Sequence, residues 1–545
     1  MIRALRWLIV CGLVVPPLAA AAESSSSVPS VPEFKQAGAL ERVRHLAIQH
    51  NGRLKPFDSF AWESIEAMTG SPAIAGQDPV ATVFAIAAFP SDWSDAKILA
   101  VPFVPLRQQL GLDRKQAHVS LNELLATRKL MRMLPPIVQK QQRDEKLSML
   151  ETETMDLFNR FVTFNSLMKQ EFHLVPPSEA GSVEWTVISQ TPLQSQWQAV
   201  VHAFQNRDGE QFAQAVAAFG DAAHQVNPSA YPAAWRLNLE VVYNHATPFR
   251  IARWLYALTA LLFLAAISRP NPRAHGLAFA ALVTAFTVHG AGITMRVILG
   301  GRPPVSNFFE TMLWLPFVAV LLSIIFERVT RSSFFGLAAS ILAGIVLLLA
   351  AHVPLDSSIS PVVAVLHSNL WLTVHVLTVV ASYGALGLAV VLAHVYAWLY
   401  LIQRGAEREL GGLEGSIYRA TQVGVVLLAG GIMLGAVWAN ASWGRYWGWD
   451  PKETWALITL IWYLAVFHGR FAGWLKGVWM SLSTIAGAFL LLMTYYGVSF
   501  YLVGLHSYAG GHAKPLPPLL IAYLIAELVF LGVVSVVAIR HRRLA

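Results

Sequence analysis

Cysteine is almost missing from this chain: among 545 residues there is one, Cys11, and it lies in the opening segment. Charge is also scarce, at 13% of residues, about half the usual share of a soluble protein. If the opening segment is removed, no thiol remains. That excludes a disulfide, a thiolate metal site and a covalently held heme. Few charges and 55% hydrophobic residues, with mean hydropathy +0.49, exclude an ordinary soluble core and point to lipid-facing helices. The net charge of +8 does not mark a nucleic-acid binder. The basic residues lie mostly between hydrophobic runs, where orientation in a membrane accounts for them.

The opening segment, "MIRALRWLIVCGLVVPPLAAAAESSSS", carries Arg3 and Arg6, then an apolar stretch, then Ala20-x-Ala22. This is a signal-peptide pattern, with cleavage after residue 22 favoured over an uncleaved anchor. Val10 makes "LIVCG" a poor lipidation site. Residues 23–32 are Ser/Pro-rich and read as a linker.

Residues 33–249 have mixed composition and predict a mostly helical domain outside the membrane. The stretch "DEKLSMLETETMDLFNRFVTFNSLMKQEF" (144–172) has helical apolar spacing, whereas "MLPPIV" and "LVPPSEAG" read as breaks. "HNGRLKPFDSFAWE" (50–63) reads as a turn at Asn51-Gly52 followed by a helix. No catalytic motif is recognisable in this region.

From about residue 250 the pattern changes. Nine apolar stretches are each long enough to span a bilayer, which takes about 20 residues. They lie near 251–268, 275–299, 308–327, 334–353, 370–402, 417–438, 451–469, 477–502 and 518–539. The fold expected is an all-α polytopic membrane protein. A signal peptide puts residues 23–249 outside. The inner connections then hold twelve basic residues: Arg269, Arg273, Arg328, Arg331, Arg404, Arg408, Arg419, Arg470, Lys476, Arg540, Arg542 and Arg543. The outer ones hold five, Arg296, Arg302, Arg445, Lys452 and Lys514, as the positive-inside rule requires. The location expected is a bacterial inner membrane, with the N-terminal domain and the 438–455 loop in the periplasm.

That loop contains "WGRYWGWDPKETW" (443–455). Asp450 suits a helix N-cap, Pro451 the first helical position, and Glu453 the third position of a capping box. Asp450 therefore need not be catalytic. Trp438 and Trp455 fit an interfacial aromatic belt, but Trp443, Trp447 and Trp449 within seven residues exceed what a belt needs. With Gly444 and Gly448 between them, they predict a flat apolar shelf beside a cation, Arg445 or Lys452. Heme, planar with acidic edges, suits such a shelf. Its iron needs axial ligands, most often histidine. His375 and His506 lie at the predicted depth of the shelf, yet His352, His367 and His512 share the same outer connections, so spacing alone does not select the pair. Arg296 and Arg302 stand where propionates or lipid phosphates could meet them. Glu527, inside the ninth span, is a functional-site candidate without an identified partner.

At these residues a resemblance emerges. "WGRYWGWDPKE" resembles the WWD signature of heme-handling proteins. "SNLWLTVHV", "SYGAL", "GLHSYA" and "RPPVSNFFETM" are similar to segments of the CcsA (ResC) branch of cytochrome c biogenesis proteins, over roughly residues 250–545. The N-terminal region resembles the extracytoplasmic extension of longer CcsA-type chains. The resemblance implies a system II component that carries heme b, as bound substrate, from the cytoplasmic side to an external site. There the thiols of an apocytochrome c CxxCH motif add to the heme vinyl groups. It implies His375 and His506 as outer iron ligands and His468, in "WYLAVFHGR", as an inner one. It also implies a heme lyase (holocytochrome c synthase) complex with a CcsB/ResB-like partner, and other proteins that keep acceptor thiols reduced. His468 lies about 22 Å along its helix from Glu453, so the partner is expected to supply the second inner ligand. His289 and His394 are alternatives. Two rival readings are a membrane electron-transfer cytochrome and a transporter of another amphipathic solute.

Overall fold

The computed structural model describes residues 28–34, 38–143, 145–179, 182–330, 332–353, 355–360, 370–403, 410–506 and 516–544. The signal segment, part of the linker, His367, His512, Arg331, Arg404, Arg408 and Lys514 lie outside them. The chain divides into two compact units, one reaching Ala246 and the other beginning at Thr247.

In the first unit, strands β1 (Ala47–His50) and β2 (Arg53–Pro56) form an antiparallel hairpin. Asn51 and Gly52 turn it with φ of +50° and +71°, the left-handed pair that a two-residue hairpin requires. Helices follow: α1 (Phe57–Thr69), α2 (Pro79–Ala88), α3 (Met149–Met168), α4 (Gln194–Gln205), α5 (Gly209–Val226) and α6 (Ala234–Ala246). The predicted turn and helix at 50–63 are thus present. Helix α3 begins with a capping box between Ser148 and Glu151. Phe57, Phe84, Phe164, Phe172, Trp197 and Phe204 build one aromatic core. The break expected at "MLPPIV" is absent: Pro135 and Pro136 lie inside the helix Lys129–Gln142. Leu130, Leu134 and Ile137 are buried along one side of that helix, and their packing holds it through the two missing amides.

The distinctive stretch 50–63 is occupied by ion pairs. Arg53 makes two 2.6 Å hydrogen bonds to Glu240 of α6, and Ser59 donates to the same carboxylate at 2.7 Å. Arg44 donates to the buried Asp58 at 2.8 Å, and Asn244 donates to Asp58 at 3.0 Å. Lys55 donates to Glu63 at 2.5 Å, with His50 at 3.6 Å on the other side. "GRLKPFDSFAWE" is therefore a polar girder that clamps α6 to the hairpin.

The second unit is a helical bundle. Its elements are α7 (Pro248–Ser268), α8 (Pro272–Gly300), α9 (Phe308–Thr330), α10 (Ser333–His352), α11 (Leu370–Ile402), α12 (Gly411–Trp443), α13 (Pro451–Phe471), α14 (Val478–Leu492) and α15 (Pro518–Leu544). All nine predicted stretches are helical. Among the described residues, eight helices are long and apolar enough to cross a membrane. The other, α13, is 21 residues long, but its threonines, tryptophans, Tyr463, His468 and Arg470 dilute the apolar run. The chain is an all-α, multi-pass membrane protein. Beyond α14 the helix passes through a π turn, Met493–Gly497, and ends at Tyr501. Helices α11 and α12 pack along their length, with Gly431 against Val379.

Burial alone would push the Glu63 carboxyl up, but the nearby His50 imidazole, the Lys55 ammonium and the charge of Arg53 outweigh it and hold it below its ordinary value. A depressed carboxylate stabilises above its unfolded pKa and loses that contribution as pH falls through its folded value. Protease resistance of the first unit, followed in the full-length protein, should therefore hold from pH 7 to about 5 and decline below the ordinary range of Glu near 4.3. Glu63→Gln should lower resistance at pH 7 and flatten the acid-side decline.

Candidate functional site

Four chain segments meet at one end of the bundle: the start of α11, the end of α12, the loop into α13, and the turn after Tyr501. Helix α12 runs to Trp443 and stops at Gly444. The loop then reaches Trp449, which has φ +56° and is 71% exposed. A left-handed tryptophan costs about 1–3 kcal/mol and persists only where its surroundings impose it.

The surroundings are the cap of α13. Asp450 Oδ1 accepts the Lys452 amide at 2.9 Å. Glu453 reaches back to accept the amides of Asp450 at 3.1 Å and Gly448 at 3.0 Å. The capping box is therefore present and extends one residue pair further into the loop. Lys452 turns its ammonium inward, donating to the Tyr495 carbonyl at 3.1 Å and the Ser499 hydroxyl at 2.9 Å. The same carbonyl also accepts the Ser499 hydroxyl at 2.9 Å. Of the two cations expected beside the indoles, Lys452 is thus engaged elsewhere, and Arg445 remains exposed with its guanidinium over Gly448.

Asp450 does more than cap. Its second oxygen accepts the Leu505 amide at 2.7 Å, and its first lies 2.9 Å from His506 Nδ1. A Cβ on Gly504 would stand 2.5 Å from Asp450 Oδ2, so only glycine lets the 504–506 backbone come this close. Burial would raise the Asp450 carboxyl, but the hydrogen bond and charge of His506 and the amides of Lys452 and Leu505 hold it below its ordinary value. The carboxylate therefore accepts, and His506 Nδ1 must carry the proton. In the neutral form of that ring the lone pair is on Nε2.

His375 reaches the same condition by another route. Its Nδ1 donates to the Gly431 carbonyl at 2.8 Å, one helix away. Gly435, one turn on, leaves the room: a Cβ there would lie 2.6 Å from the imidazole. Its Nε2 is likewise the basic nitrogen. Trp438 links the two histidines, parallel to His375 at 6.2 Å and tilted by 65° to His506 at 6.0 Å. Its buried indole N–H has no acceptor among the described residues. Trp443 packs edge-on to Trp438 at 4.7 Å and to His506 at 6.2 Å.

The structure thus brings together His375, Trp443, Asp450 and His506. It adds Trp438, which sequence reasoning assigned to an aromatic belt and which no local spacing distinguished. Trp447 and Trp449 form a separate pair, 5.8 Å apart at 90°. The flat shelf is not observed: both indole pairs are edge-to-face, the arrangement that ring quadrupoles favour. His468 is exposed on α13, far along the helix, with Nδ1 bonded to the Leu464 carbonyl at 2.8 Å. His289 is fully buried, 3.2 Å from the Tyr256 hydroxyl and edge-on to Phe249 and Phe317. His394 pairs with Glu527 at 2.7 Å, which supplies the partner that the sequence left unidentified. Arg296, 2% exposed, and Arg302 both bind Glu310, at 2.9 and 2.6 Å. They fold the "RPPVSNFFE" turn instead of standing open for propionate or lipid.

Fold and site together define a multi-pass membrane protein with an imidazole–indole site at one end of its bundle. Residues 305–506 match the Cytochrome C assembly protein family. The chain is 33% identical over 301 residues to the cytochrome c biogenesis protein CcsA of Synechococcus sp. (strain CC9605), covering 48% of this chain and 98% of that protein. It is 28% identical over 508 residues to Protein NrfI of Wolinella succinogenes, covering 86% of this chain but 54% of that protein, so it spans about half the length of that relative. Among solved structures, the cytochrome c heme lyase CcmF aligns with 55% of this chain and 51% of its own, at 17% identity and a TM-score of 0.39. The chain belongs to the CcsA family of cytochrome c biogenesis proteins.

A hydrogen bond to a charged group contributes about 1.5–3 kcal/mol, so Asp450→Ala should speed amide exchange at Leu505 by roughly 10- to 100-fold. Hydrogen-exchange mass spectrometry of the 443–506 region reads this out, and unchanged exchange at Leu505 would refute the bridging role.

Proposed function

We propose that this protein binds heme, as cargo, between His375 and His506 and presents it outside the membrane for attachment to CxxCH motifs of apocytochrome c. The observation that carries the reading is the shared tautomer. Each Nδ1 is committed to a protein acceptor, at 2.8 and 2.9 Å, so two basic Nε2 atoms are left beside one indole. Orienting ligand imidazoles through the other ring nitrogen is how proteins prepare a metal site. The donor set fits heme in three respects: two neutral imidazoles suit iron, indole faces suit the macrocycle, and the unpaired Trp438 N–H with exposed Arg445 suits a propionate.

The two ligands are held differently. His506 is anchored by a carboxylate, whereas His375 leans on a neutral carbonyl. His506 is then the retaining ligand, and His375 is the one that yields to the histidine of the incoming CxxCH motif. Heme supplies the vinyl carbons to which the thiols add, S–H across C=C, with no external oxidant. The protein's part is orientation.

Trp443, Trp447 and Trp449 border the exposed edge. His468 belongs to an inner site completed by a CcsB-like subunit. The orientation follows the arginine distribution: the Trp loop and first unit are periplasmic, in an inner membrane.

The test is the absorption spectrum of protein purified from heme-replete cells, with cytochrome c maturation assayed in parallel. Wild type should show a Soret band. His375→Ala and His506→Ala should each lose maturation, partly restored by imidazole, and His375→Ala should retain more heme. A purified protein without a Soret band, or normal maturation by either variant, would overturn the assignment.

A further inference from the structure

At the opposite end of the bundle, the ends of α7, α8, α9 and α10 surround a cavity of about 670 Å³, lined in part by Asn271, His275, Phe279, Glu327, Arg328 and Ser333. Glu327 forms its buried wall. The side chain is 1% exposed; among the described residues no side chain donates a hydrogen bond to either carboxylate oxygen, and the Gly336 amide is the backbone group that faces it. The His275 Nε2 stands 3.6 Å away, too far for a hydrogen bond. Glu327 packs against the backbone of Gly336 in α10, where a Cβ would lie 2.5 Å from Oε2. Inside a membrane span a carboxylate is expensive, and one without a hydrogen-bonded cation more so. The other intramembrane acids described above have partners: Glu310 has two arginines and Glu527 has His394.

The rim of the same cavity has the opposite character. Arg328 is exposed, its guanidinium 4.8 Å above the Phe279 ring. Asn271 caps α8 by accepting the Arg273 amide at 2.9 Å, and this helix start opens to the cavity at Pro272 and His275. Helix starts favour anions. His275 Nδ1 is fixed 2.9 Å from the Ser333 hydroxyl. A buried carboxyl group thus lies at the bottom, and a cation with a helix N-terminus lies at the mouth. The helices end here, so the mouth stands at the level where a bilayer meets water.

We propose that this cavity binds the headgroup of a phospholipid bearing a primary amine. The ammonium donates to Glu327, and the phosphate meets Arg328 and the first turn of α8. A choline headgroup carries no N–H to donate, and a glycerol headgroup carries no cation. The site therefore discriminates among lipids of equal chain length. It does not depend on the heme reading.

The experiment is native mass spectrometry of the full-length protein in detergent, with dioleoyl phosphatidylethanolamine, phosphatidylcholine and phosphatidylglycerol offered at equal concentration. Phosphatidylethanolamine should be retained about tenfold over each of the others, the scale of one charge-assisted hydrogen bond. Glu327→Gln should erase that preference. Arg328→Gln, at the exposed rim where folding is not at stake, should reduce retention of phosphatidylethanolamine. Soluble O-phosphoethanolamine has the same charged groups without acyl chains and should not displace the bound lipid. Equal retention of the three lipids, a preference that survives Glu327→Gln, or displacement by the soluble compound would each overturn the proposal. If Glu327→Gln does not fold, the wild-type comparison and Arg328→Gln still decide.

Discussion

One carboxylate holds one end of this bundle together. Asp450 accepts the Lys452 amide, the Leu505 amide and the His506 imidazole, and so joins the start of α13 to the turn that follows α14. Without it, the turn at 504–506 would lose its anchor to the loop, and His506 would be free to take either tautomer. A carboxylate has about four lone-pair sites, so one residue can cap a helix and also fix an imidazole without conflict. Glu453 and Lys452 complete the arrangement, one tying the cap to Gly448 and the other fastening α13 to the π turn.

Apart from Glu327, the acids named inside the bundle are paired with cations or histidine. Arg296 and Arg302 share Glu310, which also accepts the Ser306 amide at 2.8 Å, so a tight turn between two spans is built around a neutralised acid. His394 and Glu527 tie α15 to α11. Arg470 pairs with Glu414 and lies over Tyr418, joining α13 to α12. Each pair links two helices whose lipid-facing surfaces have little reason to associate by hydrophobicity alone, since lipid tails are as apolar as leucine. In water such pairs add little. In a bilayer the alternative is an unpaired charge, which makes them effective at fixing which helix neighbours which.

Sequence periodicity was enough for the helices because each span is long and apolar, and the cap of α13 was legible because capping is local: Asp450, Pro451 and Glu453 lie within four residues. The contacts that make the site were illegible for the complementary reason. His506 is 56 residues from Asp450, and His375 is 56 residues from Gly431. No local spacing records such a meeting. The indoles misled in one respect. Clustering in sequence implied a common plane, whereas edge-to-face packing is the lower-energy arrangement for neighbouring rings and divides them into two pairs. Trp438 was hidden by an adequate bland explanation, since a tryptophan at a helix end needs no other. The prolines at 135–136 were read as a break because proline removes helix amides, a local cost that burial of Leu130, Leu134 and Ile137 offsets.

What the loop can do is limited by how its polar groups are spent. Asp450 and Glu453 accept amides, and Lys452 is buried against a carbonyl, so none of the three is placed to exchange protons with a ligand in the water outside. Arg445 is permanently charged and serves as an electrostatic handle, not as an acid or base. The remaining chemistry consists of indole faces and edges, one buried indole N–H, and two imidazole nitrogens whose protons are fixed on the far side of each ring. Such a set is suited to hold and orient a flat ligand. On the proposed heme reading, bond making then falls to groups that the heme and its acceptor bring with them, and the left-handed Trp449 is the exposed indole of the loop.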